Sequence, residues 1–496
     1  MIKPVIELNG NNLSISDMVA VARENRTITL SNEAKERINQ AAEIVADILK
    51  EKRRVYGVTT GFGYLQDKTV SPQEAEKLQY NLVHSHAAGV GPDFSQEIVR
   101  GMIILQINKF ARGHSGIRLK VVSLLMNLLN KNVTPAVPSQ GSLGASGDLA
   151  PLAHLALVLI GKGSAYQGEK KISGLQALEK IGLTPIKLIA KEGLALLNGT
   201  QVMTSIAALA VADAEYLVEV ANIATSMSME VHQANIDALN PSIHQARPHK
   251  GQIETARSIL GFLRGSKRTR QNIAHQDCYS LRCAPIVHGA TLDTINFVKG
   301  IVETEMNSST DNPLIFTPDK ILSGGNFHGQ PIALSMDFLG VAIAELGSIS
   351  ERRIEHLLNP TLSKLPAFLS LKSGINSGFM IAQYTAASLV SENKQLAFPA
   401  SVDSIPVSAN QEDHVSMGTT AARQVRKIIE HVQYILAIEL LCVSQAIDLA
   451  GIQPQLAPFT LKKYNTIRER VPVLTDDREL SPDISQCVEL IRNRKF

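Results

Sequence analysis

The strongest pattern along the chain is a set of long stretches that contain neither glycine nor proline. Residues 201–239 are rich in Ala, Leu, Val, Met and Glu, and they end before Asn240 and Pro241. Residues 419–450 place apolar side chains at spacings of three and four residues. Residues 331–359 are a third candidate for a long helix. These patterns predict long helices. Several long helices cannot bury their apolar faces alone, so we expect a helical bundle that also packs against other subunits.

The first 200 residues follow a different pattern, because glycine and proline recur in clusters there. Short helices alternating with loops are expected, and residues 163–173 favour a small β-hairpin. The sequence therefore predicts a mainly α fold with two domains. Residues 1–200 would form an N-terminal domain of mixed helices and loops, and residues 201–496 an elongated helical bundle that makes the contacts between subunits.

Composition supports this fold class and excludes several kinds of partner. Apolar residues make up 44% of the chain, aromatic residues only 4%, and tryptophan is absent, so Ala, Leu, Ile and Val must fill the core. A net charge of +3 with interspersed charges offers no basic face for nucleic acid. We found no signal peptide and no apolar run long enough to span a membrane, so a soluble, cytoplasmic protein is expected. His84 and His86 form the closest histidine pair, but no nearby Cys or carboxylate completes a metal site, and no metal is expected.

Residues 141–150 read GSLGASGDLA and lead into an apolar stretch. One interpretation is a tight turn with Asp148 as the helix N-cap, and a phosphate-binding loop is a weaker one because no lysine follows the glycines. A third interpretation is chemical. The Gly147 nitrogen could attack the Ala145 carbonyl and close a five-membered ring, and dehydration at the ring and at Ser146 would leave an electrophilic alkene.

Residues 141–149 resemble the prosthetic-group motif of the aromatic amino acid ammonia-lyase and aminomutase family. Further motifs of the family occur in its order: YGVTTGFG (56–63), NLVHSHAAGVG (81–91), EGLALLNGTQ (192–201), QDCYSLRC (276–283), GGNFH (324–328) and NQEDHVSMG (410–418). The resemblance implies a fold like that of the fumarase and aspartase superfamily and a homotetramer whose active sites are shared between subunits. It also implies the prosthetic group 4-methylidene-imidazole-5-one, formed from Ala145, Ser146 and Gly147, with no external cofactor.

The resemblance also assigns roles to individual residues. Tyr56 would remove the β-proton of the substrate, for which its phenol, with a pKa of about 10 in water, must become more acidic. Arg282 suits the substrate carboxylate because its planar guanidinium engages two oxygens. The remaining assignments are Tyr279 beside the prosthetic group, Asn198 and Gln276 as hydrogen-bonding groups, and Phe327 as a packing group. The amides could equally cap helices and the aromatic residues could belong to the core.

Three positions favour L-histidine as the substrate. Ser85 and His86 resemble the pair found in family members that act on histidine, and Glu412 could face the imidazole ring of the substrate, where a carboxylate beside a phenyl ring would gain nothing. We therefore expect elimination of ammonia from L-histidine to give trans-urocanate. The alternatives are a tyrosine or phenylalanine ammonia-lyase, a tyrosine 2,3-aminomutase, or a helical binding protein without the chemistry. The chain departs from the family pattern at Ile286, because family members commonly have glutamine at this position.

Overall fold

The computed structural model describes residues 4–271, 276–372 and 374–496, and this part of the chain is mainly helical. The predicted fold class is confirmed. The α-helices are α1 Ile15–Glu24, α2 Asn32–Lys50, α3 Pro72–His86, α4 Gln96–Ala111, α5 Leu119–Asn130, α6 Leu149–Leu159, α7 Gly174–Lys180, α8 Glu192–Leu197, α9 Gln201–Val231, α10 Pro241–Ala246, α11 Lys250–Phe262, α12 Tyr279–Arg282, α13 Ala284–Met306, α14 Gln330–Leu358, α15 Pro360–Ser363, α16 Met380–Leu396, α17 Gly418–Ala450, α18 Pro458–Arg468 and α19 Leu480–Arg492. Short 3-10 helices occur at Gly63–Leu65, Ile236–Leu239, Ala367–Leu369 and Gln453–Gln455.

Short strands form four small sheets within the described ranges. The strands are β1 Ile6–Leu8, β2 Ile28–Leu30, β3 Val90–Asp93, β4 Val133–Pro135, β5 Pro138–Gln140, β6 Ser164–Gln167, β7 Lys170–Ser173, β8 Leu314–Thr317 and β9 Lys320–Leu322. β1 and β2 are parallel, and the other pairs, β3 with β5, β4 with β6, β6 with β7 and β8 with β9, are antiparallel. The hairpin predicted over residues 163–173 is confirmed by β6 and β7.

The chain divides into two compact units, each built from three segments. The first unit comprises the described parts of Met1–Ala212 together with Lys299–Asp337 and Pro399–Arg423, and the second comprises Asp213–Val298, Phe338–Phe398 and Gln424–Phe496. The units do not follow a single cut at residue 200, because the long helices α9, α13, α14 and α17 have residues in both. A separately folding domain over residues 1–200 therefore stays a prediction.

The long helices agree with the sequence pattern at most of their ends. α17 and α14 begin and end within one residue of the predicted stretches. The sequence predicts that the first stretch stays helical to residue 239, but α9 ends at Val231. Gln233 takes a left-handed conformation with φ +51, and the Asn235 side chain accepts a hydrogen bond from the backbone of Asp237 to start a 3-10 turn. Side-chain hydrogen bonds of this kind compete with the helix and end it without glycine or proline.

Two helices, α14 and α17, are long and apolar enough to cross a membrane by length and composition alone. Their most apolar windows are 61% and 83% buried inside the protein, respectively. Helices in the core of a globular protein have the same properties, so these two helices are weak evidence for a membrane span.

Candidate active site

The glycine-rich loop lies between β5 and α6 in the first unit, and its backbone is pressed against another loop. Gly147 has φ +74 and pairs with Gly199, and a Cβ atom at Gly147 would lie 2.2 Å from the Gly199 carbonyl oxygen. The Asp148 amide donates to that same oxygen at 2.8 Å. Only glycine permits so close an approach of two backbones. This close contact between two backbones lies at the position where the sequence predicts ring closure.

Asp148 is fully buried directly after this loop, and its side chain makes no capping hydrogen bond to its own helix α6. Its Oδ2 accepts hydrogen bonds from the amides of Val202 at 2.9 Å and Met203 at 3.0 Å, so it caps α9 instead. Its Oδ1 accepts from the hydroxyls of Ser142, at 2.9 Å, and Thr419. Burial raises the pKa of the Asp148 carboxyl, and these hydrogen bonds oppose the rise. Asp148 therefore occupies the N-cap position of α6, where its backbone carbonyl accepts from the Leu152 amide at 3.0 Å, but its side chain caps α9 and not α6.

The Ser146 hydroxyl donates a hydrogen bond to Glu412 Oε1 at 2.5 Å. Glu412 lies in a loop whose backbone is fixed by reciprocal hydrogen bonds with Val407, at 3.0 and 3.3 Å. In the same loop, three consecutive residues have left-handed backbones: Ser408, Ala409 and Asn410. Such strain at non-glycine residues persists only where surrounding contacts enforce it, and it is concentrated at functional sites.

Further contacts bind the two loops together. The Met417 amide donates to the Leu143 carbonyl at 2.9 Å, and the Ser416 hydroxyl donates to the Gly144 carbonyl at 3.1 Å. Ala145 packs in a small apolar cluster with Val415 and Met417. The position of Glu412 beside Ser146 is therefore set by backbone contacts rather than by the two side chains alone.

A cavity of about 350 Å³ opens over these groups in the first unit. It is lined by Tyr56, Gly63, Gln66, Ala145, Ser146, Asn198, Asn312, Ser323, Gly324, Phe327, His328, Gln411, Glu412, Asp413 and His414. The structure thus brings together six of the residues predicted from the sequence: Tyr56, Ala145, Ser146, Asn198, Phe327 and Glu412. The Tyr56 phenol oxygen accepts a hydrogen bond from the Gly63 amide at 3.1 Å, which fixes its position in the cavity wall.

Several polar residues of the cavity were missed from the sequence. His328 and His414 stack with ring centroids 5.8 Å apart, and Asn312 accepts a hydrogen bond from Asn198 Nδ2 at 2.9 Å through its carbonyl oxygen. His328 and His414 belong to the GGNFH and NQEDHVSMG motifs, and this membership could have identified them as site residues. For Gln66 and Asn312 no local signal exists, because only the fold brings them to the cavity.

His86 lies at the end of α3 and is not among the residues that line the cavity. Its Nδ1 lies 3.1 Å from the Ser85 hydroxyl. Burial lowers the pKa of His86, while a hydrogen bond to the Leu82 backbone and the charge of Glu412 act in the opposite direction.

Three predicted site residues, Gln276, Tyr279 and Arg282, belong to the second unit and do not line this cavity. Tyr279 is 70% exposed, and the Arg282 guanidinium lies over its ring at 4.7 Å from the centroid. Arg282 Nε is buried and has no hydrogen-bond partner among the described residues. Gln276 is exposed.

The donor atoms required for a metal site do not come together in the described part of the chain. Within residues 4–271, 276–372 and 374–496, no group of three or more His, Cys, Asp or Glu side chains is arranged to hold a metal ion.

Comparison with known proteins agrees with these features. A model of the aromatic amino acid lyase family matches residues 13–469. Histidine ammonia-lyase of Alkaliphilus metalliredigens is 51% identical over 494 residues, which cover 99% of this chain and 97% of that protein. The crystal structure of histidine ammonia-lyase from Trypanosoma cruzi superimposes with a TM-score of 0.92 at 44% identity, covering 99% of this chain and 94% of that one. Tyrosine aminomutase from Streptomyces globisporus gives 0.96 at 36% identity, with 99% and 97% covered. The chain therefore belongs to the aromatic amino acid lyase family.

Proposed function

We propose that this chain catalyses the histidine ammonia-lyase reaction, the non-oxidative elimination of ammonia from L-histidine to give trans-urocanate. The observation that carries the proposal is the 2.5 Å hydrogen bond between Ser146 and Glu412 in a cavity that also contains Tyr56. It places a carboxylate suited to an imidazole ring beside the serine of the Ala-Ser-Gly motif. The relatives named histidine ammonia-lyase, about half identical over nearly the whole chain, support the same substrate.

The residues of the loop fit the prosthetic group 4-methylidene-imidazole-5-one. Its formation requires a bond from the Gly147 nitrogen to the Ala145 carbonyl carbon. The first water that is lost takes the Ala145 carbonyl oxygen and the amide hydrogens of Ser146 and Gly147. The second water takes the Ser146 hydroxyl and the α-hydrogen of the same residue. The contact of Gly147 with Gly199 supports this assignment, because a Cβ atom would fill the space. When present, the group supplies an electrophile that turns the substrate amine into a better leaving group.

Side chains of the cavity would perform the remaining chemistry. The Tyr56 oxygen, which receives a hydrogen bond from Gly63, would accept the β-proton of the substrate. Glu412, in the cavity wall, would pair with one imidazole nitrogen of the substrate. His86, at the end of α3 and outside the lining residues, would have to reach the other nitrogen, because each is costly to bury without a partner. Asn198 would hydrogen-bond the substrate or the electrophile, and Phe327 would pack against them.

We also propose that the protein is a homotetramer with shared active sites, in which Gln276, Tyr279 and Arg282 complete the cavity of another subunit. The exposed Tyr279 and the unpartnered Arg282 Nε support this arrangement. A groove of about 750 Å³ in the second unit, lined by α13 and α14, has an apolar wall that includes the half-exposed Phe297, Phe338 and Val341. Exposed apolar surface of this kind marks protein interfaces. Location in the cytoplasm stays a prediction.

The proposed reaction is tested by incubating the dialysed protein with L-histidine and no added cofactor. Ammonia and urocanate should appear in equal amounts. Production of neither, by protein that is folded and has lost two waters from its mass, would contradict the proposal. An intact-mass measurement belongs to the same experiment, with Ser146→Ala expected to be inactive and Ser485→Ala, on the exposed face of α19, as the matched control.

The shared site is tested by mixing two inactive variants. Tyr56→Phe and Arg282→Met should each lack activity, whereas co-expression should restore part of it, because some sites then receive an intact Tyr56 and an intact Arg282 from different subunits. Absence of any recovery in mixed oligomers would show that both residues act within one chain.

A further inference from the structure

A buried lysine lies behind the active site and plays no part in the proposed reaction. Lys109 is on α4 and is 1% exposed. Its Nζ donates to the carbonyl oxygens of Ala195 at 2.9 Å and Asn198 at 2.8 Å. These carbonyls belong to the C-terminal end of α8, where helix carbonyls lack partners within the helix. A positive group at this end also interacts favourably with the helix dipole.

The Asn198 carbonyl is one peptide unit from the close contact between Gly199 and Gly147. The next residue, Gly199, receives the Asp148 amide on its own carbonyl and lies against Gly147. The side chain of Asn198 lines the cavity and donates to the Asn312 carbonyl. A displacement of the Asn198 peptide would thus move both a wall of the cavity and the support of the loop.

Other charged groups near Lys109 do not replace it. Lys191, at the N-terminal end of α8, pairs with Asp311 at 3.0 Å, and both side chains are fully buried. Asp311 also accepts the Asn312 amide, at 2.7 Å. Burial lowers the pKa of Lys109 to about 7, with Asp311 raising it and Lys191 lowering it further. Burying an amine at this position costs free energy, so we infer that Lys109 does more than fill space in the core.

We propose that Lys109 is a positioning residue that holds the Asn198–Gly199 peptide so that Gly199 supports the ring-forming loop and Asn198 faces the cavity. Lys109 acts through these residues and does not itself touch the substrate. The inference rests on the proposed prosthetic group, since ring closure is the step that needs the supported loop.

Gln106 provides a matched control on the same helix. Its Nε2 donates to the carbonyl of Leu196, in the same turn of α8, at 2.6 Å, and this hydrogen bond is to Leu196 rather than to Asn198. Gln106→Met and Lys109→Met each remove buried hydrogen bonds to α8, so both should lower the melting temperature. Only Lys109→Met removes the bond to the peptide that supports Gly147.

The experiment compares intact mass, kcat and KM for L-histidine, and melting temperature in the full-length wild type and variants. Lys109→Met should leave a fraction of chains at full sequence mass. The kcat per folded subunit should fall by at least about 10-fold, with a smaller change in KM. Gln106→Met should be fully matured with nearly unchanged kcat. Lys109→Gln keeps a hydrogen-bond donor on a side chain that is one atom shorter. This variant should recover part of the maturation and part of the kcat that Lys109→Met loses.

Four outcomes separate the possibilities. Full maturation and unchanged kcat in Lys109→Met would overturn the proposal, as would equal losses of maturation in Lys109→Met and Gln106→Met. If Lys109→Met does not fold, Lys109→Gln decides, and unchanged maturation and kcat in that variant overturn the proposal. A wild type that itself keeps its full sequence mass would instead refute the proposed prosthetic group.

Discussion

The hydroxyl of Ser146 lies 2.5 Å from Glu412 Oε1, although 266 positions separate the two residues in the chain. The partner of this carboxylate is the hydroxyl that must leave when the proposed prosthetic group forms. Loss of that hydroxyl would free Glu412 for a second partner in the cavity, and the imidazole ring of histidine can supply an N–H donor. A single carboxylate can therefore contact the serine before maturation and the substrate afterwards.

Replacing Glu412 by glutamine should weaken histidine turnover much more than any activity toward tyrosine. The amide keeps the size but loses the charge that stabilises a positive imidazole, so kcat/KM for L-histidine should fall by at least about 10-fold. Asp413→Asn, which removes a negative charge from the adjacent exposed residue of the same cavity, is the control and should have a smaller effect. Equal effects of the two substitutions would show that Glu412 contributes only negative charge to the cavity and makes no specific contact with the imidazole ring.

Gly147→Ala should fold but fail to mature. The added Cβ would lie 2.2 Å from the Gly199 carbonyl oxygen and force the loops apart, so the chain should keep its full sequence mass and lack activity. Gly300→Ala, on α13 with no atom within 4 Å of the added carbon, serves as the control and should mature normally. A dehydrated Gly147→Ala chain would show that the close contact is unnecessary for ring closure.

Asp148→Asn should destabilise the fold, because one amide oxygen cannot accept the four hydrogen bonds that the carboxylate receives. Each buried donor left without an acceptor costs about 1–3 kcal/mol, so the melting temperature should fall by several degrees at least. Asp319→Asn, in an exposed turn between β8 and β9, should leave it unchanged. A stable Asp148→Asn variant would imply that the cap on α9 contributes little.

Lys109 also predicts a pH dependence of stability. Its pKa is about 7 in the folded protein and 10.5 ordinarily, so between these values the unfolded chain binds the extra proton. Stability contributed by this group therefore rises with pH across that window, with a slope of at most about 1.4 kcal/mol per pH unit. Between pH 7 and pH 9, the melting temperature of the wild type should therefore rise relative to that of Lys109→Met. A constant difference would mean that Lys109 keeps its ordinary pKa.

The features predictable from the sequence were those with a local signal. Helices α14 and α17 followed from apolar spacing and the absence of glycine and proline, and the Ala145–Ser146–Gly147 loop followed from its glycines. The end of α9 was missed because Gln233 adopts a left-handed backbone without being a glycine. The left-handed run from Ser408 to Asn410 was missed for the same reason: tertiary contacts impose it against local preference.

The partners of buried polar groups also could not be predicted. Asp148 precedes α6 in sequence but caps α9, because the fold brings the start of α9 to its carboxylate. Lys109 sits in a helix whose residues Ile98–Ala111 are all buried, and nothing in the adjacent sequence identifies the carbonyls that it binds. Such contacts depend on long-range packing, which a single sequence does not specify locally.

The central claim is tested most directly by the specificity constants for L-histidine, L-tyrosine and L-phenylalanine, measured on one preparation with the products identified. We predict that urocanate forms from L-histidine with a kcat/KM at least about 100-fold above that for either other amino acid, since a site built around buried polar partners strongly rejects a side chain that cannot satisfy them. Faster formation of coumarate, cinnamate or β-tyrosine than of urocanate would contradict the account and assign the same scaffold to another aromatic amino acid.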